Sequence, residues 1–143
     1  FPNGVEEVVG FDYCISITEI FIPKNVEQMQ CFSSCDSLNI VKFEKGIELD
    51  VLGGFNNCKK LTEFVIPSNT ETLCLFMNDS MIKSINIPMS VEKLDERCLT
   101  NCIDLEEVIF ESNSNLKSIN EECFKGCPKL KKLELPESVI NRK

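Results

Sequence analysis

Residues Cys14–Cys35 read CISITEIFIPKNVEQMQCFSSC. Apolar side chains stand at Ile17, Ile20, Ile22, Val26 and Met29, and the stretch closes on Cys31-Phe32-x-x-Cys35. Ile20-x-Ile22 alternates with period 2, which suits a short strand with one buried face. Pro23 has no N–H for a ladder and stops that strand. The same order returns along the chain. After Cys35 come Leu38, Val41, Phe43 and Ile47; after Cys58 come Leu61, Phe64, Ile66, Pro67 and Leu73. After Asp79 come Ile82, Ile85, Ile87, Pro88, Val91 and Leu94. Cys102 leads Leu105, Val108, Phe110, Leu116 and Ile119, and Cys127 leads Leu130, Leu133, Leu135, Pro136 and Val139.

The period is thus 21 to 25 residues, with one double interval between Cys58 and Cys102 in which Asp79 fills the empty rung. Self-similarity at that period marks a solenoid, whose units bury their apolar sides only by stacking. Each unit closes on a small residue and a large apolar one three residues before the next rung: Gly10-Phe11, Cys31-Phe32, Gly54-Phe55, Leu75-Phe76, Cys98-Leu99 and Cys123-Phe124. Phe32, Phe55, Phe76 and Phe124 are therefore expected to stack as one aromatic column. Asp50 stands where an apolar residue is expected, so that coil should slip to bury Leu49, Val51 or Leu52. The Val-x-x-Leu stretch is expected to turn a corner.

The pattern resembles the BspA-like leucine-rich repeats, with their L-x-x-I-x-I-P-x-x-V and [AC]-F-x-x-C columns, from Pro2 to Val139. The resemblance implies an α/β, β-rich solenoid. It would be a right-handed leucine-rich repeat coil with a parallel concave sheet and turns or short 3₁₀ helices on the convex side. Residues 1–143 read as one domain of about six coils that starts and stops inside a repeat, as a fragment or a capless protein would. The family is found in bacteria and in anaerobic protozoan parasites, and the resemblance implies a surface adhesin or an intracellular scaffold, the roles proposed for its members.

The composition narrows the chemistry. The net charge is -8, which removes the basic stripe a nucleic-acid binder needs. There is no histidine, so Ser-His and Cys-His nucleophile pairs and His-ligated metals are excluded. No apolar run approaches a membrane span. The nine cysteines lack the C-x₂-C pairing of zinc and thioredoxin-like sites. The rung thiols Cys14, Cys35, Cys58, Cys102 and Cys127 instead read as buried, reduced, metal-free packing. Cys74 lies off both columns and is expected to be the most reactive. A disulfide ladder is disfavoured, since neighbouring rung side chains point the same way. No cofactor is expected, and a thiol or zinc enzyme is the weakest reading. Glu63 and Glu107 share a column with Ser84 between them and read as a solvated face. Glu111-Ser112-Asn113-Ser114-Asn115 lacks calcium-loop order and reads as an inserted polar turn. Asn78-Asp79-Ser80 is a glycosylation sequon that matters only in a secreted chain.

Function is then expected on the concave face, where strand residues flanking the buried ones point outward. One column is Glu19, Ile40, Glu63, Ser84, Glu107 and Lys132; the next is Phe21, Lys42, Val65, Asn86, Ile109 and Glu134. Phe21, Ile40, Val65 and Ile109 among carboxylates would suit a basic or amphipathic protein segment. The leading expectation is a non-catalytic scaffold that binds a protein, regulates an intracellular enzyme and resides in the cytoplasm. A cell-surface adhesin is the alternative. Uncapped ends near Val5, Val8, Leu133, Leu135 and Val139 would permit self-association.

Overall fold

A computed structural model describes residues 1–2, 4–75, 77–120 and 122–140. Its strands are β1 (Glu7–Val8), β2 (Glu19–Ile22), β3 (Gln28–Cys31), β4 (Ile40–Phe43), β5 (Leu49–Gly54), β6 (Thr70–Leu75), β7 (Ser84–Ile87), β8 (Lys93–Leu94), β9 (Glu107–Phe110) and β10 (Lys132–Leu133). Helix is confined to one turn, α1 (Glu137–Ile140), among the described residues.

The alternating segments form parallel strands. In β2, Ile20 and Ile22 face the core while Glu19 and Phe21 face out, and β7 repeats this with Ile85 and Ile87 inside. Glu19 pairs with Ile40 and Phe21 with Lys42; further on, Glu107 pairs with both Ser84 and Lys132. The sheet is interrupted. Residues 61–66 form no strand, so β2–β4 and β7–β9–β10 are separate sheets. The sequence there differs in bulk: Phe64 takes the place of Ile20, Val41, Ile85 and Val108. Its ring meets Phe43 at 6.0 Å and Phe55 at 4.9 Å between centroids. We attribute the break to this ring, because a ladder requires neighbouring strands about 4.8 Å apart.

The expected corner is a second parallel sheet, in the order β1-β3-β5-β6-β8. Val8, Met29, Leu52, Leu73 and Leu94 stand in register along it, all buried. Asp50 points to solvent while Leu49 and Leu52 fill the core, the expected slip. The remaining side of each coil is made of tight turns rather than 3₁₀ helix among the described residues.

Those turns carry a left-handed residue just before each rung: Tyr13, Ser34, Asn57, Asp79, Asn101 and Gly126. Asp79 thus belongs to the turn column, and Ser80, only 1% exposed, fills the rung. The ladder agrees: Asn57 N donates to Asn78 O (2.9 Å) as Ser34 N donates to Asn56 O (2.7 Å). The expectation for Asp79 is wrong because this coil has one residue fewer between rung and strand, so counting back from the strand overshoots. The same shift puts Met77, fully buried, in the aromatic column. Phe76, expected there, lies outside the described residues. The stack is Phe11–Phe32–Phe55, with centroids 5.4 and 5.9 Å apart and planes 17° and 16° from parallel. Met77 and Leu99 continue the column, so Phe124 is half-buried and has no ring neighbour among the described residues.

Rung thiols do more than fill space. Cys35 Sγ donates to Phe11 O (3.3 Å), Cys58 Sγ to Phe32 O (3.1 Å) and Cys127 Sγ to Leu99 O (3.0 Å), each across to the preceding coil. Ser80 Oγ is buried and has no hydrogen-bond partner among the described residues. A C–S bond is longer than C–O, so a thiol at this rung would reach further towards the preceding coil. Ser80→Cys should therefore stabilise the fold by about 1 kcal/mol, raising Tm by about 3 °C. Thermal unfolding checks this; a lower Tm would mean the rung lies elsewhere.

Candidate protein-recognition face

The outward side chains of the first sheet come from β2, β4, residues 62–66, β7, β9 and β10. Strand alternation sets their direction, and parallel register sets their spacing. Phe21 is 53% exposed, Ile40 39%, Val65 76% and Ile109 42%. Such side chains singly need no explanation, but here they share one face. Glu19, Lys42, Glu63, Ser84, Asn86, Lys132 and Glu134 are exposed beside them, and Glu107 is half-buried.

Interruption of the sheet divides the face. Glu19, Phe21, Ile40 and Lys42 form one hydrogen-bonded block. Ser84, Asn86, Glu107, Ile109 and Lys132 form another, with Glu134 just beyond β10. Glu63 and Val65 stand between them on the segment without a ladder. Two grooves lie along the face, one at the break and one between the coils of β9 and β10, which sequence reasoning missed because they depend on how coils separate. A groove of about 390 Å³ lies between Val41, Phe43 and Ile47 on one side and Val65 and Pro67 on the other, with Lys42 and Lys45 at its edge. A second, of about 800 Å³, runs from Glu107 and Ile109 past the polar turn Ser112–Ser114 to Lys132, Glu134 and Leu135. Glu111 anchors that turn by accepting a hydrogen bond from Met89 N at 2.9 Å. Leu133 and Leu135, expected at a core edge, are partly exposed.

Charge is less one-sided than the columns imply. Lys42 Nζ lies 2.6 Å from Glu19 Oε1, and Lys132 Nζ 3.3 Å from Glu107 Oε1. These exposed pairs are worth well under about 1 kcal/mol each. Glu63 is in no ion pair among the described residues.

All nine cysteines are free. Cys35, Cys58 and Cys102 are buried as expected, but Cys14 and Cys127 are half-buried, each covered by a coil on one side only. Burial pushes the Cys31 and Cys58 thiols up to about 12. Cys74 corrects the expectation of high reactivity: it is buried, and burial, then its hydrogen bond to Asp95 Oδ2 (3.3 Å), pushes its thiol up to about 12. A thiol held neutral is a poor nucleophile. Among the described residues no three His, Cys, Asp or Glu side chains group so as to hold a metal ion. No helix among the described residues is long and apolar enough to cross a membrane.

Comparison with known proteins agrees with this architecture. A crystal structure of a leucine-rich cell surface protein from Faecalibacterium prausnitzii is similar with TM-score 0.67 and 24% identity, over 78% of this chain and 31% of that one. A leucine-rich repeat protein from Bacteroides ovatus is similar with TM-score 0.67 and 24% identity, over 93% of this chain and 42% of its own. The chain spans less than half the length of either. No significant match is found among curated proteins. The model of the BspA type leucine-rich repeat region matches in six copies, over residues 7–113 and 73–143. With parallel strands, buried Ile-x-Ile columns and thiol rungs recurring over the same residues, the chain belongs to the BspA type leucine-rich repeat family.

Proposed function

We propose that this chain is a non-catalytic protein-recognition module whose concave face, the outward side of β2–β4 and β7–β9–β10, binds a basic or amphipathic segment. The carrying observation is the set Phe21, Ile40, Val65 and Ile109, exposed on one face at positions where a parallel solenoid repeats its side chains. Desolvated apolar and aromatic anchors dominate binding energy, and Phe21 is the aromatic among them. Glu63 and the net charge of -8 favour a basic partner and speed its encounter. The edge residues Glu19, Lys42, Ser84, Asn86, Glu107, Lys132 and Glu134 set orientation.

A partner captured from the source cell is measured against Phe21→Ala and Val65→Ser, each first shown to fold. Binding should weaken about tenfold or more for Phe21→Ala. It should be unchanged for Gln28→Ala, on the outer face of the second sheet. Loss with Gln28→Ala and retention with both others would move the site to the second sheet.

Nine free thiols support an intracellular scaffold, one that regulates an enzyme through this face. Likeness to a protein described as a cell surface one supports surface display. Protease treatment of intact cells separates the two: survival of the chain supports the first, digestion the second.

A further inference from the structure

The groove between the coils of β9 and β10 differs from the one at the break in its charge. Both lie at the end of an outward-facing strand and along the turn that follows it. At the break the charged rim is Lys42, Glu44 and Lys45. Lys42 is paired with Glu19, Glu44 Oε2 accepts a hydrogen bond from Lys24 N (2.8 Å), and Lys45 has no ion pair among the described residues. The larger groove, of about 800 Å³, is lined by Glu107, Glu111, Glu134 and Glu137 against the single cation Lys132. Lys132 is taken by Glu107 (3.3 Å), and Glu111 is engaged by Met89 N (2.9 Å). Glu134 and Glu137 are exposed, and their carboxylates have no hydrogen bond or ion pair among the described residues. Apolar surface lies beside them, from the exposed Ile109 and Leu135 and the half-buried Pro136. The same wall contains Ser138, whose hydroxyl is buried with no partner among the described residues.

We propose that this groove is a subsite for one basic residue: it takes a lysine or arginine side chain of the protein segment bound on the concave face. The inference rests on that face being the recognition face, and it names where the partner's positive charge goes. A long cationic side chain is apolar along its stem and charged at its tip. The stem lies on Ile109, Leu135 and Pro136, and the tip meets Glu134 and Glu137. The tip also brings N–H donors to the wall in which the Ser138 hydroxyl stands unpartnered. A charge walled in by protein is less screened by water than one on an open face, so attraction is stronger in the groove. An apolar side chain there would crowd two carboxylates and pair with neither. At the break, Lys45 repels the same cationic tip. The two grooves therefore give the bound segment one direction along the coils, with its basic residue towards β10.

Random peptides displayed on phage are selected on the immobilised chain, and the selected sequences are synthesised and measured by fluorescence polarisation. They should carry a lysine or arginine. The double variant Glu134→Gln/Glu137→Gln, at exposed positions that tolerate it, should weaken their binding about fivefold. Norleucine in place of the peptide's basic residue should lose the same factor, and on the double variant this second loss should vanish. Glu7→Gln/Glu71→Gln, the same change of charge on the outer face of the second sheet, should leave binding unchanged. The proposal is overturned by peptides without a basic residue, by losses that simply add, by equal loss in the second-sheet variant, or by coupling to Glu63→Gln instead. Stronger binding by Arg142→Ala would assign the groove to this chain's own Arg142, and self-association abolished by the groove variant would assign it to a second copy; either result overturns it too. Phe21→Ala separates this failure from that of the recognition face. Loss with Phe21→Ala but not with the groove variant sinks the subsite alone, and the reverse sinks the wider face alone. An empty selection counts against both.

Discussion

Phe55→Ala should destabilise the fold by about 3–5 kcal/mol, lowering Tm by about 10 °C. Phe55 is fully buried, stacked 5.9 Å from Phe32 and tilted 4.9 Å from Phe64, so its ring joins the turn wall to the strand wall. The backbone adds to the loss. Phe55 sits at φ 68, as Phe32 does, a region costly for any side chain but glycine. Ring packing holds it there, and alanine keeps the strain without the packing. Urea unfolding checks this through a lower midpoint at unchanged slope. Phe124→Ala, at a half-buried position in the same column, should cost clearly less. Equal losses would mean that the column does not run as described.

Gly54→Ala should cost as much or more, upward of about 4 kcal/mol, by a different mechanism. A Cβ at Gly54 would stand 2.0 Å from Cys31 O and 2.7 Å from Cys31 N. Both are backbone atoms of the neighbouring coil and cannot swing aside. Gly54 also lies at φ +97. Gly46 separates the two effects, since it has φ +83 but nothing within 4 Å of its would-be Cβ. Gly46→Ala should then cost only about 1 kcal/mol of backbone strain. The difference between the variants, read by thermal or urea unfolding, measures the close approach of coils at Gly54. If it vanishes, β3 and β5 are not packed at this spacing.

Counting back from the strand puts the rung at Asp79, and a one-residue shortening in that coil moves it to Ser80 and the column to Met77. Cys74 looked reactive because it matched no column, yet its place inside β6 buries it beside Asp95. The Val-x-x-Leu corner lacks strict alternation, so nothing local marks it as sheet. It becomes sheet because stacked coils present unpaired N–H and C=O groups to one another, and parallel pairing satisfies them.

The sequence by itself determined the repeat, its period, the buried Ile-x-Ile columns, the parallel strands and the thiol rungs. Each of these is a short-range pattern repeated often enough that stacking is the only way to bury it. The same patterning named the outward columns from Glu19 and Phe21 to Lys132 and Glu134. Only the tertiary structure decided that Phe64 splits the sheet, that grooves open at Val65 and beside Glu107, and that Lys42 and Lys132 neutralise part of the acidic face. These outcomes depend on the separation and register of neighbouring coils. Side-chain volume and inter-coil hydrogen bonding set both, between residues some twenty positions apart, beyond the reach of local spacing.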